Sequence, residues 1–154
     1  MKKIVKGLLV IGISSVLCGC GENGNISIIC EGKDSSLEGI KQTVQSNYYF
    51  SKDQYLTNYE RTTIQEFEKK DVYKIYKDSM EETVKKNKEK TITYDLKTND
   101  NKKKITFTYK VEISREELDK QENKDFYKAI NVLERAESNS KCKIKGINRK
   151  DLKK

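Results

Sequence analysis

The chain has 154 residues, a formal net charge of +8 at pH 7, and no Pro, Trp or His. Because His is the usual general base near neutral pH and the commonest transition-metal ligand, its absence excludes Ser-His-Asp and Cys-His catalysis. Lysine supplies almost all of the positive charge. With only four arginines, the chain is not expected to bind nucleic acid, which favours arginine.

The first twenty residues have the pattern of an export signal. An uncharged, mostly apolar run from 7 to 18 follows three lysines. It is too short to cross roughly 30 Å of hydrocarbon as a permanent helix, so a cleaved signal is predicted. Its removal would leave about 135 residues, enough for one domain, with a charge of +5.

The end of this signal, Leu17-Cys18-Gly19-Cys20, resembles the lipobox of bacterial lipoproteins. In that family a peptidase cuts before the cysteine after a diacylglyceryl group has been attached to its thiol. The resemblance implies a signal peptide over 1–19 and lipidation at Cys20. The alternative is an ordinary signal peptide or a short transmembrane anchor with two incidental thiols.

Residues 20–25 contain no apolar side chain after the cysteine and are predicted to form a short flexible tether. Each buried lipid methylene contributes about 0.8 kcal/mol, so several acyl chains would hold the protein at a membrane. We therefore expect a lipid-anchored protein on the extracytoplasmic face of a cell membrane, most simply of the Gram-positive type.

Residues 26–154 are predicted to form one domain that begins with strands. In Ile26–Cys30, alternate residues Ile26, Ile28 and Cys30 share a face. In Ile40–Phe50, Val44, Tyr48 and Phe50 do the same, and Tyr55–Ile64 is a plausible third strand.

The next segments combine helical and strand patterns. Apolar or small residues recur every three or four positions within Phe67–Lys86, which predicts an amphipathic helix. The helix face is formed by Val72, Ile75, Tyr76, Ser79, Met80, Thr83 and Val84. Clean alternation in Thr91–Leu96 and Ile105–Ile113, separated by a turn-forming Asn/Asp segment, predicts an antiparallel hairpin.

The C-terminal third predicts a second helix and a last strand. Ser114-Arg115-Glu116-Glu117 is a capping-box sequence, but 119–125 contains no apolar residue, so whether 115–122 is helical stays open. A helix centred on 123–137 is favoured, and Cys142 and Ile144 point inward from the last strand. The order predicts an α+β fold, an antiparallel β-sheet with two helices packed on one face.

Cys30 and Cys142 are predicted to form a disulfide, since paired cysteines outside the cytoplasm are usually bonded. A loop of over a hundred residues would be closed, contributing roughly 4–5 kcal/mol in the chain-entropy model. Two free buried thiols are the alternative.

No motif commits the chain to a chemistry. The glycines of the domain are isolated, and the candidate acids lie among polar neighbours where solvated carboxylates are expected: Glu60, Glu66, Asp71, Asp95 and Glu112. No catalytic residue, metal site or cofactor is predicted. Tyr48, Tyr49, Tyr55 and Tyr59 are a possible sugar- or peptide-binding platform, although tyrosines in a domain without Trp often fill the core.

The mature segment resembles the small YehR-type lipoproteins of Gram-positive bacteria in its lipobox, its length of roughly 120 residues and its ITYDL and ITFTYKVEI strands. The resemblance transfers no activity. Our first hypothesis is a non-enzymatic binding or envelope-accessory module held at the membrane, with anionic wall polymers or another envelope protein as candidate partners. A solute-capturing lipoprotein for a transporter and an inhibitor of a host envelope-degrading enzyme are the alternatives.

Overall fold

Alternating apolar and polar residues build the sheet, as expected when one face is buried and the other is solvated. The computed structural model describes residues 26–32 and 35–153. The predicted signal peptide, Cys20 and the tether lie outside these residues. The described residues form seven strands: β1 Ile26–Gly32, β2 Ser35–Leu37, β3 Ile40–Phe50, β4 Leu56–Phe67, β5 Ile92–Asn99, β6 Lys104–Glu112 and β7 Ser140–Lys145.

The sheet is antiparallel with the order β5-β6-β4-β3-β1-β7, and β2 pairs with β3. The predicted α+β class is thus confirmed. The first and last strands are neighbours, as a bond between Cys30 and Cys142 requires. β4 runs three residues beyond the predicted Ile64 because Gln65 and Phe67 continue the ladder with Ile105 and Ile40. Phe67, predicted to open the first helix, is therefore a strand residue.

The described part of the chain contains three α-helices rather than the two predicted: α1 Lys70–Lys86, α2 Arg115–Asp119 and α3 Ala129–Glu137. The α1 helix packs on β5, β4 and β6, while α3 packs on β7 and β1. We call the sheet face that they cover the inner face. The helices thus lie on one face, as predicted.

Two separate apolar clusters hold the helices to the inner face. Under α3, Leu133 and Ala129 pack with Ile28, Cys30 and Phe50. Under α1, Tyr73 packs with the strand residues Ile40, Phe67 and Ile105. The clusters lie at opposite corners of the sheet, so neither helix covers its middle.

The predicted inner side of α1 is wrong at Ile75, which is 67% exposed, whereas Tyr73 is only 4% exposed. Two residues on a helix of 3.6 residues per turn point about 200° apart, so burying Tyr73 turns Ile75 toward solvent. The Tyr73 ring packs against Phe67 at a centroid distance of 5.8 Å, and its hydroxyl donates to Asp100 Oδ1 at 2.5 Å.

The helix predicted over 123–137 is divided. Residues Lys124–Tyr127 form a 3₁₀ turn, Lys128 is extended, and α3 begins at Ala129. The interruption arises because Lys128 forms a β-bridge with Tyr55 and the Ala129 N–H donates to the Gln54 carbonyl. The capping box at Ser114 is formed in full and begins α2.

Cys30 and Cys142 form the predicted disulfide. They are register partners on β1 and β7, and Cys30 is buried within the cluster under α3. The bond ties the first strand to the last strand, which is an edge of the sheet.

Candidate functional site

Four tyrosines cross the middle of the inner face, one from each of β3, β4, β6 and β5. We call Tyr48, Tyr59, Tyr109 and Tyr94 the tyrosine row. Tyr48 and Tyr59 are register partners with ring centroids 4.9 Å apart, and Tyr59 meets Tyr109 edge-on at 5.6 Å. Tyr94 is the register partner of Tyr109 and stacks on Phe107 at 5.5 Å.

The four tyrosine side chains of the row are half-buried, so each keeps part of its surface exposed to solvent. It occupies the part of the sheet between the cluster under α1 and the cluster under α3. A tyrosine at such a position presents an apolar ring and a hydroxyl to anything that enters the space between the helices.

The hydroxyls of the row interact with one another and with a polar neighbour. Ser46 Oγ and Tyr59 Oη lie 3.4 Å apart. Burial, followed by the hydrogen bond with Tyr59, raises the pKa of Tyr109 to about 12. Burial and the neighbouring Tyr59 also raise the pKa of Tyr48. These phenols are therefore neutral at physiological pH and act as hydrogen-bonding groups.

Arg61 projects from β4 onto the same face, directly opposite Tyr109 on β6. Its positive charge lowers the pKa of Tyr109 and so partly offsets the rise caused by burial. Arg61 also acts electrostatically on Tyr48. None of the ion pairs within residues 26–32 and 35–153 includes Arg61.

The other three arginines form ion pairs or stack on an aromatic ring. Arg115 pairs with Asp53 and Asp119, and Arg149 makes two bonds of 2.7 Å to the Glu137 carboxylate. Arg135 stacks its guanidinium 3.4 Å from the centroid of Phe126 and donates to that residue's carbonyl. Arg61 differs from them in having hydroxyl groups as its neighbours.

A cavity of about 630 Å³ adjoins the row at the end nearest α2. Tyr48 and Tyr59 form part of its wall. Phe126, which is 47% exposed, and Arg135 lie at its other side. Most of the remaining lining is apolar, with Leu56, Val111, Ile113, Leu118, Val132 and Ala136. Two tyrosines of the row therefore line this cavity.

The structure brings together only half of the predicted tyrosine platform. Tyr48 and Tyr59 lie in the row, but Tyr49 points to the opposite, outer face because it follows Tyr48 in an extended strand. Tyr55 lies outside the row, with the charged groups of Arg115 and Lys124 each 5.0 Å from its ring centroid.

The alternation of the hairpin predicts that Tyr94 and Tyr109 face inward, but the predicted tyrosine platform does not include them. The missing information was the pairing of β6 with β4, which sets Tyr109 beside Tyr59 and opposite Arg61. Arg61 belongs to no motif in the sequence. Because Arg61 follows Tyr59 by two residues in a strand, alternation predicts that both side chains lie on the same face.

The candidate acids on strands lie on the outer face. Glu60 pairs with Lys110, Glu66 with Lys104, and Asp95 with Lys97. Glu112 faces outward from β6, opposite Asn58. Asp71 lies in the first turn of α1 and is exposed.

No family model, curated protein or solved structure matches this chain. Among the described residues, no helix has the length and apolar character needed to span a bilayer.

Proposed function

We propose that this chain is a membrane-anchored, extracytoplasmic lipoprotein whose domain is a non-enzymatic binding module, and that its ligand lies along the tyrosine row. The observation that carries the binding proposal is the row of half-buried tyrosines on β3, β4, β6 and β5, in which the first three rings are in contact and the fourth tyrosine is the register partner of the third. Strands lie about 4.8 Å apart, so four of them span roughly 14 Å. This length suits an elongated molecule better than a small solute.

The chemistry of the row favours a ligand with flat apolar faces and hydrogen-bonding edges. Tyrosine rings stack against such faces, and neutral phenols both donate and accept hydrogen bonds. Oligosaccharides and extended peptides of the cell envelope have this character. The binding proposal agrees with the resemblance to YehR-type lipoproteins, to which we propose that the chain is related.

The charge distribution near the start of β1 supports the proposed anchor. If Cys20 is lipidated, Ile26 lies six residues from the bilayer-attached residue. Four exposed lysines lie around this end of the sheet, and none of them belongs to a described ion pair: Lys52, Lys145, Lys150 and Lys153. Gln54 links two of these segments by bonding to Asp151 and Lys153. Lysines so placed favour a surface of anionic lipid headgroups.

The anchor is tested by fractionating cells that express the full chain. We expect the protein in the membrane fraction, labelled by a fatty acid, and we expect the Cys20→Ala variant to carry no label. Cys18→Ala is the matched control and should keep the label. An unlabelled wild-type protein would overturn the proposed anchor without bearing on the tyrosine row.

Binding is tested on the full chain extracted in detergent. Because the chain has nine Tyr and no Trp, its intrinsic fluorescence comes from tyrosine alone. We expect soluble envelope-type oligosaccharides or peptides to change this fluorescence saturably in the wild type and not in Tyr109→Ala. Tyr49→Ala, which removes a half-buried tyrosine from the outer face, should bind as the wild type does. Equal losses in both variants would contradict the proposal.

A further inference from the structure

We propose that Arg61 is an oxyanion-binding residue and that the ligand of the tyrosine row is an acidic saccharide or polyol chain. The guanidinium would hold a carboxylate or phosphodiester group of this chain while its neutral units lie against the tyrosines. This inference rests on the proposed function and narrows its ligand class.

The first argument is the charge pattern of the sheet. Among the inner-facing residues of β1 and β3–β7, Arg61 is the one charged side chain, as the strand registers and the sequence show. All the acidic strand residues lie on the outer face, among them Glu60, Asp95 and Glu112. A charge needed only for solubility would be expected on that solvated face.

The second argument is the position of β4 in the sheet. An inward-pointing charge protects an edge strand from pairing with another chain. β4 is paired along both sides, with β3 and with β6. Edge protection therefore does not account for Arg61.

The third argument is the incomplete neutralisation of the guanidinium. A half-buried cation carries a desolvation cost that a carboxylate partner normally offsets. Arg61 instead faces uncharged residues across the sheet, Ser46 on β3 and Tyr109 on β6, and a guanidinium has five N–H donors. These donors are suited to two oxygens of a carboxylate or phosphate, the geometry in which arginine binds most strongly.

The surroundings define the rest of the ligand. Tyr48, Tyr59 and Tyr94 are uncharged and present ring surface, and the Ser46 and Tyr59 hydroxyls form a polar pair beside Arg61. Arg61 would pair with an acidic group of the chain, and the uncharged tyrosines would contact its sugar or polyol units. A polyglutamate chain has no ring or polyol unit to place against these tyrosines.

The experiment compares four probes by tyrosine fluorescence with the full chain in detergent. The probes are a galacturonic acid oligomer, a neutral galactose oligomer of equal length, a glycerol phosphate oligomer and a hexaglutamate peptide. We expect at least one acidic chain of the saccharide or polyol type to bind about tenfold more tightly than the neutral oligomer, as a charge-assisted contact provides. The two acidic probes of that type distinguish a carboxylate source from a phosphodiester source.

Arg61→Gln should remove that tenfold preference and leave the weaker binding of the neutral oligomer unchanged. Arg61→Lys should restore part of the preference. Arg149→Gln is the matched control, because Arg149 is an exposed arginine that pairs with Glu137 and lies outside the tyrosine row. This variant should keep the preference. Thermal melting of each variant confirms that the fold is intact.

Equal affinity for acidic and neutral oligomers in the wild type would overturn the role of Arg61 but leave the proposed binding function in place. Binding of hexaglutamate alone would overturn the saccharide or polyol class. If Tyr109→Ala changes the binding of no probe, the proposed function itself fails.

Discussion

Cys30 on β1 and Cys142 on β7 stand directly opposite each other and are joined by a disulfide, with their Cα atoms 4.1 Å apart. The bond connects residues 112 positions apart. It therefore confines nearly the whole domain in the unfolded state, and the gain in stability is set by that long loop.

We expect the double variant Cys30→Ala, Cys142→Ala to lose about 5 kcal/mol of unfolding free energy, a large share of the stability of a small domain. Urea unfolding followed by circular dichroism measures the loss. Reductant should shift the wild-type midpoint in the same direction and leave the double variant unchanged. A loss below about 1 kcal/mol would mean that the disulfide contributes little.

Leu133 and Ile75 test the assignment of the helix faces. Leu133 is fully buried on α3, so Leu133→Ala should cost about 2–5 kcal/mol by leaving a cavity. Ile75 is exposed on α1, so Ile75→Ala should change stability by less than about 0.5 kcal/mol. Chemical unfolding of both variants provides the comparison, and similar losses would contradict the orientation of α1.

Ser114 begins α2 through a reciprocal pair of bonds. The Glu117 N–H donates to Ser114 Oγ at 3.2 Å, and the Ser114 N–H donates to Glu117 Oε2 at 3.1 Å. Ser114→Ala should cost about 1 kcal/mol and increase amide exchange in α2. Ser79→Ala, at an exposed position within α1, is the control and should not destabilise the protein. Unchanged exchange at Glu117 in Ser114→Ala would show that the cap is dispensable.

Tyr109 should ionise at a higher pH than an ordinary tyrosine. Its pKa of about 12 lies above the ordinary value of 10.0 because burial and the bond with Tyr59 favour the neutral phenol. The neutral form thus stabilises the fold fully below pH 10, and this stabilisation is lost as the pH rises toward 12. A phenolate absorbance titration should show a late transition that is missing in Tyr109→Phe.

The same titration tests the placement of Arg61. Because its positive charge lowers the pKa of Tyr109, Arg61→Gln should move the late transition to higher pH. Arg149→Gln should leave it where it is. An unmoved transition in Arg61→Gln would show that the guanidinium does not lie beside the Tyr109 hydroxyl.

Much of the sheet could be predicted because a strand has a period of two. Alternation placed Ile28 and Cys30 inward, located β3 at Ile40–Phe50, and set Tyr94 and Tyr109 on the buried side of the hairpin. The helices were harder to orient. Whether Tyr73 or Ile75 faces the sheet depends on how α1 is rotated by its neighbours, among them Phe67.

The candidate site depended still more on contacts distant in sequence. Tyr48 and Tyr49 are adjacent tyrosines in the chain. They point to opposite faces of β3, so Tyr48 belongs to the row and Tyr49 lies on the outer face. The break at Lys128 likewise comes from Gln54 and Tyr55, over seventy residues earlier.

The sequence by itself predicted the class of fold and the inward face of β1, β3, β5, β6 and β7, because these follow from local periodicity. It also predicted the disulfide, because the domain has two cysteines. It also carries the prediction of lipidation at Cys20. Only the tertiary structure decided that Arg61 stands among tyrosines on an inner face without acidic strand residues. The physical reason is strand register, since β3, β4 and β6 bring together side chains that no local pattern relates.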